Sequence, residues 1–422
     1  MADITIVDPG NVGLLQGLSA KNNRLVVRDL DVMYLFYRST NVSQRTISFV
    51  RSADGGQTWS TETDIHSESG PVTQMNVWYD RWTPGNTTGN LVHIVFTRAT
   101  GNPGFYYLSF DVISNSVATV SSRISSVGIS LTNADKLDIV KDRAGVLWYV
   151  MGSIEGSGSF RLYTSTNDGV DWTAVISGSQ FLDEGDTANI LNCHQLCLLP
   201  GFTEPRPMLI AKQAGLEDRI ILLEFNESLA PANFVLHNEI VTGLQSGDED
   251  IQIMGCVQRD ADFAVFCCYV KETFPETLRC VSIFGYNNFF DTLVYDPPSE
   301  PDIRGLQVYA DWVNGLIVAS FLTGNGGTNI YAGVYTTSVN SGFTWDDPPI
   351  QFTAGTGDYV GLHTPYCNFD NPGLFLMAWY DDNAEEFRTD DSNMFLNGLF
   401  TVRLLPDSGQ EIVSCLTGNP DP

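Results

Sequence analysis

Runs of five to nine residues rich in Val, Ile, Tyr, Phe and Thr recur along the chain, separated by clusters of Gly, Asn, Asp and Pro. Apolar positions at helical spacing are nearly absent, so the pattern predicts an all-β protein. Two stretches show the repeating unit plainly. The first reads Ile251-Gln-Ile-Met-Gly-Cys-Val, Phe263-Ala-Val-Phe-Cys-Cys-Tyr-Val, Leu278-Arg-Cys-Val-Ser-Ile-Phe and Asp291-Thr-Leu-Val-Tyr. The second reads Leu306-Gln-Val-Tyr-Ala, Leu316-Ile-Val-Ala-Ser-Phe-Leu and Ile330-Tyr-Ala-Gly-Val-Tyr, then a strand from Trp345 onward. Each unit is four strands long.

One turn motif punctuates these units three times. It occurs as Ser52-Ala-Asp54-Gly-Gly56-Gln-Thr58-Trp59, as Ser165-Thr-Asn167-Asp-Gly169-Val-Asp171-Trp172, and as Ser338-Val-Asn340-Ser-Gly342-Phe-Thr344-Trp345. The Asp or Asn side chain folds onto N–H groups of the turn, and Gly takes a positive φ. The Trp then opens the next strand, where its ring is expected to be buried. The copies lie 113 and 173 residues apart, two and three times a period of about 57. Degenerate copies fall near Ser109-Phe-Asp111, Glu224-Phe-Asn226, Gly285-Tyr-Asn287 and Asp407-Ser-Gly409.

Seven four-stranded units of that period predict a seven-bladed β-propeller of antiparallel blades over residues 22–417, an architecture that leaves only short sheet edges. Six blades plus an end module is the alternative. Residues 1–21 then form a leader, expected either to dock on another protein or to cap a blade edge, and 418–422 a tail.

The three turns resemble the Asp-box, or BNR, repeat of sialidase-like propellers. That resemblance implies that the box residues are structural, on turns between third and outermost strands. Sialidases of this kind hold a sugar carboxylate with three arginines, one in an early Arg-Ile-Pro. Here Arg24, Arg28 and Arg38 are the early arginines, and none precedes Ile-Pro. The opening Met-Ala-Asp-Ile-Thr-Ile is similar to the start of phage head and decoration proteins.

Charge changes the picture. The 422 residues carry 50 acidic and 22 basic side chains, a net charge of −28. That balance argues against nucleic acid as a partner. No apolar run is long enough for membrane insertion, and the first residues show no export signal. If the boxes mark one face, the opposite face carries the second-to-third-strand loops and the connections between blades. Those segments hold Asp183, Glu184 and Asp186, then Asp248, Glu249 and Asp250, then Asp302 with Arg304, then Asp381, Asp382 and Glu385. They make a candidate acidic binding face suited to a neutral glycan, a basic partner or a cation. Ca²⁺ is conceivable on carboxylates at that density, but the spacing matches no calcium loop, so no metal site and no other cofactor is expected.

Other chemistry is thin. Cys193-His194-x-x-Cys197 alternates faces along one apolar strand, which favours packing over metal binding. His66, His93, His237 and His363 have no catalytic companions at motif spacing, and no nucleophile elbow is present. Carboxylate pairs for glycoside hydrolysis could stand among the acidic loops. Eight dispersed cysteines read as free buried thiols of a chain made in a reducing cytoplasm. The expectation is therefore a non-enzymatic virion propeller, acting as decoration, fibre or host-glycan-binding protein and docked on other virion proteins through residues 1–21. A sialidase-like glycoside hydrolase is the alternative, and an assembly scaffold for a basic partner is a third reading.

Overall fold

The computed structural model describes most of residues 25–368, together with Asp3–Thr5, Val12–Gly13, Ala378–Asp381 and Glu386–Asp390. The longer stretches outside it are 14–24, 40–45, 125–135, 153–159, 242–250, 369–377 and everything after Asp390.

The strands form seven sheets in chain order. The second is typical: Val72–Tyr79, Leu91–Arg98, Gly104–Asp111 and Ser116–Val120, each antiparallel to the next. The first is built on Met33–Ser39, Thr46–Ser52 and Thr63–Ser67, with Leu25–Val27 and Val12–Gly13 both pairing to Met33–Ser39. The third runs Lys136–Lys141, Leu147–Gly152, Phe160–Ser165 and Thr173–Ser179. The fifth runs Ile251–Gln258, Val265–Lys271, Thr277–Ile283 and Phe289–Tyr295. The sixth runs Asp302–Asp311, Leu316–Asn325, Ile330–Ser338 and Ile350–Gln351.

The fourth sheet, Asp186–Leu199 to Asn233–Val241, differs because it closes on itself. The short strand Phe181–Asp183 pairs with both its first and its last strand. The open blades therefore number six, the lower of the two counts anticipated. Among the described residues this closed unit is the fourth sheet in chain order, and the other six sheets are open. The first strands of sheets two to seven pack side by side in chain order, as a propeller requires.

The last sheet takes a strand from the N-terminal residues. In the seventh sheet, Tyr359–His363, Ala378–Asp381 and Glu386–Asp390 are joined by Asp3–Thr5, which pairs antiparallel with Glu386–Asp390 as the fourth strand. Contrary to the expectation that residues 22–417 complete the ring, the last blade is not complete without the leader: Asp3–Thr5 is one of its four strands. Residues 418–422 lie outside the described residues.

The strands are apolar on both faces because each blade is covered by two neighbours. Met33–Ser39 is buried at every position. Aromatic side chains fill the space between blades: Phe49 and Phe110 meet at 4.8 Å, and Trp148 and Phe225 at 5.1 Å. The axis is filled too. Tyr366 packs on Trp78 and Trp82, and its hydroxyl accepts a hydrogen bond from the Gln258 amide at 2.8 Å. Beside it Asp138 is buried, accepting from Asn76 Nδ2 at 3.0 Å and from the Leu198 amide at 2.7 Å.

Candidate functional site

The two faces of the ring are chemically different. The turn face carries the connections between third and outer strands, where all three Ser-x-Asp/Asn-x-Gly turns lie. The loop face carries the second-to-third-strand loops.

The three turns share one hydrogen-bond pattern. Gly56, Gly169 and Gly342 donate their amides to Ser52, Ser165 and Ser338 Oγ at 2.8–2.9 Å. Thr58, Asp171 and Thr344 donate theirs to Asp54, Asn167 and Asn340 at 2.9 Å. Trp59, Trp172 and Trp345 donate Nε1 to the carbonyl of the same glycines at 3.1–3.2 Å. The rings are half-buried rather than buried, because that bond holds each indole at the turn instead of sending it into the core. Gly169 is needed twice over: its φ is +81°, and a Cβ there would strike the Tyr107 ring.

The turn face also holds a buried polar chain. His93 bonds Tyr107 Oη at 2.7 Å and Asp80 at 2.8 Å. Lys141 bridges Asp80 and Asp168 at 2.8 and 2.7 Å, and Tyr107 donates to the Asp168 carbonyl. Burial alone would raise the Asp80 pKa. The hydrogen bonds and charges of His93 and Lys141 instead hold it at about 2. These groups satisfy one another and join the second sheet to the third, so they are read as structural.

The loop face gathers polar chemistry at two places. One is where the first and second sheets meet. Arg38, near the end of a second strand, donates to the Val72 carbonyl at 2.8 Å. Arg98, at the end of the next blade's second strand, lies opposite Val72 in the ladder. Its guanidinium sits 4.8 Å over the Tyr106 ring, which stacks on Phe96 at 5.3 Å. His66, at the end of the first sheet's outer strand, meets Phe96 at 5.4 Å. Burial lowers the Arg38 pKa to about 10, and burial with the Arg98 charge pushes the His66 pKa down, favouring its neutral form. Arg123 and Arg161 stand half-buried at the same end of the second and third sheets. The neighbouring carboxylates Glu62 and Asp64 bond Ser48.

The other place is between the fifth and sixth sheets. Asp302 accepts from Arg304 at 2.6 Å and from Tyr331 Oη at 2.9 Å, and Arg304 lies 5.0 Å over the Tyr331 ring. Glu276 accepts the Ile303 amide at 2.9 Å, and its pKa is raised first by burial, then by the charge of Asp302.

Of the acidic positions read from the sequence, only Asp302 and Arg304 come together as described side chains. Asp183 and Asp186 face each other across a ladder, and Asp381 lies opposite Glu386 in another. Glu184, Asp248, Glu249, Asp250, Asp382 and Glu385 lie outside the described residues. No group of three or more His, Cys, Asp or Glu suited to a metal occurs among the described residues. Arg98, Tyr106 and His66 went unnoticed in the sequence as a cluster, because each is unremarkable in its own strand and only the ring sets them together.

No protein-family model matches the chain, and no curated protein matches it. Solved structures do. An ulvan lyase from a new polysaccharide lyase family, bound to -[GlcA(1-4)Rha3S]-, aligns with a TM-score of 0.59 at 9% identity, covering 92% of this chain and 95% of its own. An α-L-arabinofuranosidase from Fusarium graminearum aligns at 0.45 and 11%, covering 92% and 96%. The six-bladed fucose-recognising lectin of Aleuria aurantia aligns at 0.43 and 11%, covering 77% and 92%. The fold is a β-propeller. The non-enzymatic expectation is corrected here, since a polysaccharide lyase aligns over nearly the whole chain.

Proposed function

We propose that this propeller is a glycan-cleaving enzyme that binds an anionic polysaccharide where the first and second sheets meet and breaks it by β-elimination. The observation that carries the reading is the convergence of Arg38, Arg98, His66 and Tyr106 at one end of two adjacent blades. The lyase likeness supports it at the level of fold. Eliminating across a uronate needs three things: neutralisation of the carboxylate, a base for the proton on the carbon beside it, and a proton for the departing oxygen. Arg38 and Arg98 supply positive charge for the carboxylate. His66, held towards its neutral form, takes the C5 proton. The C4–O bond breaks as the C4=C5 double bond forms, and Tyr106 protonates the leaving oxygen.

The test is incubation with a panel of uronate-containing polysaccharides, glucuronate–rhamnose sulfate polymers among them. Ultraviolet absorbance from the new unsaturated uronate is the expected result. Fresh reducing ends without that absorbance would replace elimination with hydrolysis. Glu276 favours that second reading, since burial and the charge of Asp302 beside it raise its pKa in the direction a general acid requires. The virion setting expected from the N-terminal residues is kept as a proposal: a particle-borne enzyme would meet surface polysaccharide directly, and mass spectrometry of purified particles tests for it.

A further inference from the structure

The fifth sheet holds four of the eight cysteines, and strand register sets them in two opposed pairs. Cys256 lies directly opposite Cys267, and Cys268 directly opposite Cys280. Directly opposed residues in an antiparallel ladder have Cα atoms about 4.5–5.5 Å apart, inside the roughly 4.4–6.8 Å that a disulfide spans. The thiols of each pair are also in hydrogen-bonding contact. Cys267 and Cys268 are consecutive, so they point to opposite faces of the sheet and cannot exchange partners easily. All four are buried and reduced.

We propose that the fifth sheet is an oxidisable blade in which Cys256–Cys267 and Cys268–Cys280 each close to a disulfide. One thiol of a pair gives up its proton and attacks a sulfur of a small-molecule disulfide such as oxidised glutathione, expelling one thiolate. The second thiol, deprotonated in turn, attacks the mixed disulfide and expels the other. Each pair loses two electrons and two protons, and the oxidant becomes two thiols. Burial pushes the Cys267 and Cys268 thiols up, so the folded blade reacts slowly and the bonds form while the strands are pairing. The inference stands apart from the glycan reading.

The full chain, reduced and denatured, is refolded in a glutathione redox buffer and, separately, with dithiothreitol. Free thiols are then alkylated, and peptides are mapped by mass without reduction. The expected result is two cross-linked peptide pairs, 256 with 267 and 268 with 280, and a melting temperature at least about 5 °C above the reduced form. Cys267→Ser loses the first link and keeps the second. Full alkylation of all four would overturn the proposal. So would a link from Cys256 or Cys267 to Cys197, whose thiol lies 3.9 Å from the Cys256 carbonyl oxygen. If refolding fails, protein held in urea near its unfolding midpoint, where the blade opens and closes, is treated with diamide and mapped the same way, and unlinked blade peptides overturn the proposal there too.

Discussion

The two charged ends of the loop face are built from different blade positions with opposite chemistry: second-, third- and outer-strand ends at one, a second-to-third-strand loop and a first-strand start at the other. Where the first and second sheets meet, arginines at the ends of second strands stand beside a histidine and a tyrosine, and the nearby Glu62 and Asp64 turn to Ser48. Between the fifth and sixth sheets, Glu276 and Asp302 predominate, and Arg304 is tied to Asp302. Net charge alone, at −28, describes neither end. A propeller face is assembled from many separate loops, so its potential is local, and an acidic protein can present a cationic site to an anionic polymer.

The largest expected effect is on catalysis at the cationic end. Arg98→Gln should lower kcat/KM on a uronate polymer by about 10²–10³-fold, as for loss of a group that stabilises developing charge. Arg98→Lys should recover only part, since an ammonium lacks the planar fork. His66→Ala should cost about 10²–10⁴-fold in kcat while the melting temperature stays near that of the parent. Equal activity in either variant would move the site elsewhere.

The pH profile sharpens the same comparison. The His66 pKa is lowered below 6.5 by burial and by Arg98, so activity should rise with pH through that lowered value and be level by neutral pH. A group working from Glu276, whose pKa is raised above 4.5, acts as a protonated acid and would give the opposite slope, with activity falling as pH rises through it. A falling limb in the acid range would therefore favour the carboxylate end.

Salt should have a moderate effect. Between about 0.05 and 0.5 M, an anionic polymer should bind progressively more weakly as its attraction to the cationic end is screened. Affinity that rises with salt, measured by calorimetry on an inactive variant, would point to a substrate repelled by the acidic end. The smallest effect expected is that of Glu276→Gln, within about twofold of the parent in kcat/KM. A loss of about 10²-fold, typical of a removed general acid, would reverse the assignment of the two ends.

Parts of this protein were legible from the chain. The apolar runs gave strands, and the turn motif gave both the period and the face on which Asp54, Asn167 and Asn340 lie. Those features are local: a turn is stabilised by bonds across four residues, and a strand shows as a run of β-branched and aromatic side chains. The acidic loops were legible as charge but not as a site, for Asp302 acquires Tyr331 as a partner only through pairing 29 residues away.

What the sequence by itself determined is the all-β architecture of four-stranded repeats and the internal bonding of the three turns, because both depend on neighbours within one blade. Tertiary structure decided the closure of the fourth sheet, the fourth strand that Asp3–Thr5 lends to the last blade, and the meeting of Arg38 and Arg98 with His66 and Tyr106. Each of these joins residues of different blades or of distant parts of the chain. The packing of one twisted sheet on the next sets those distances, and no spacing along a single strand records them.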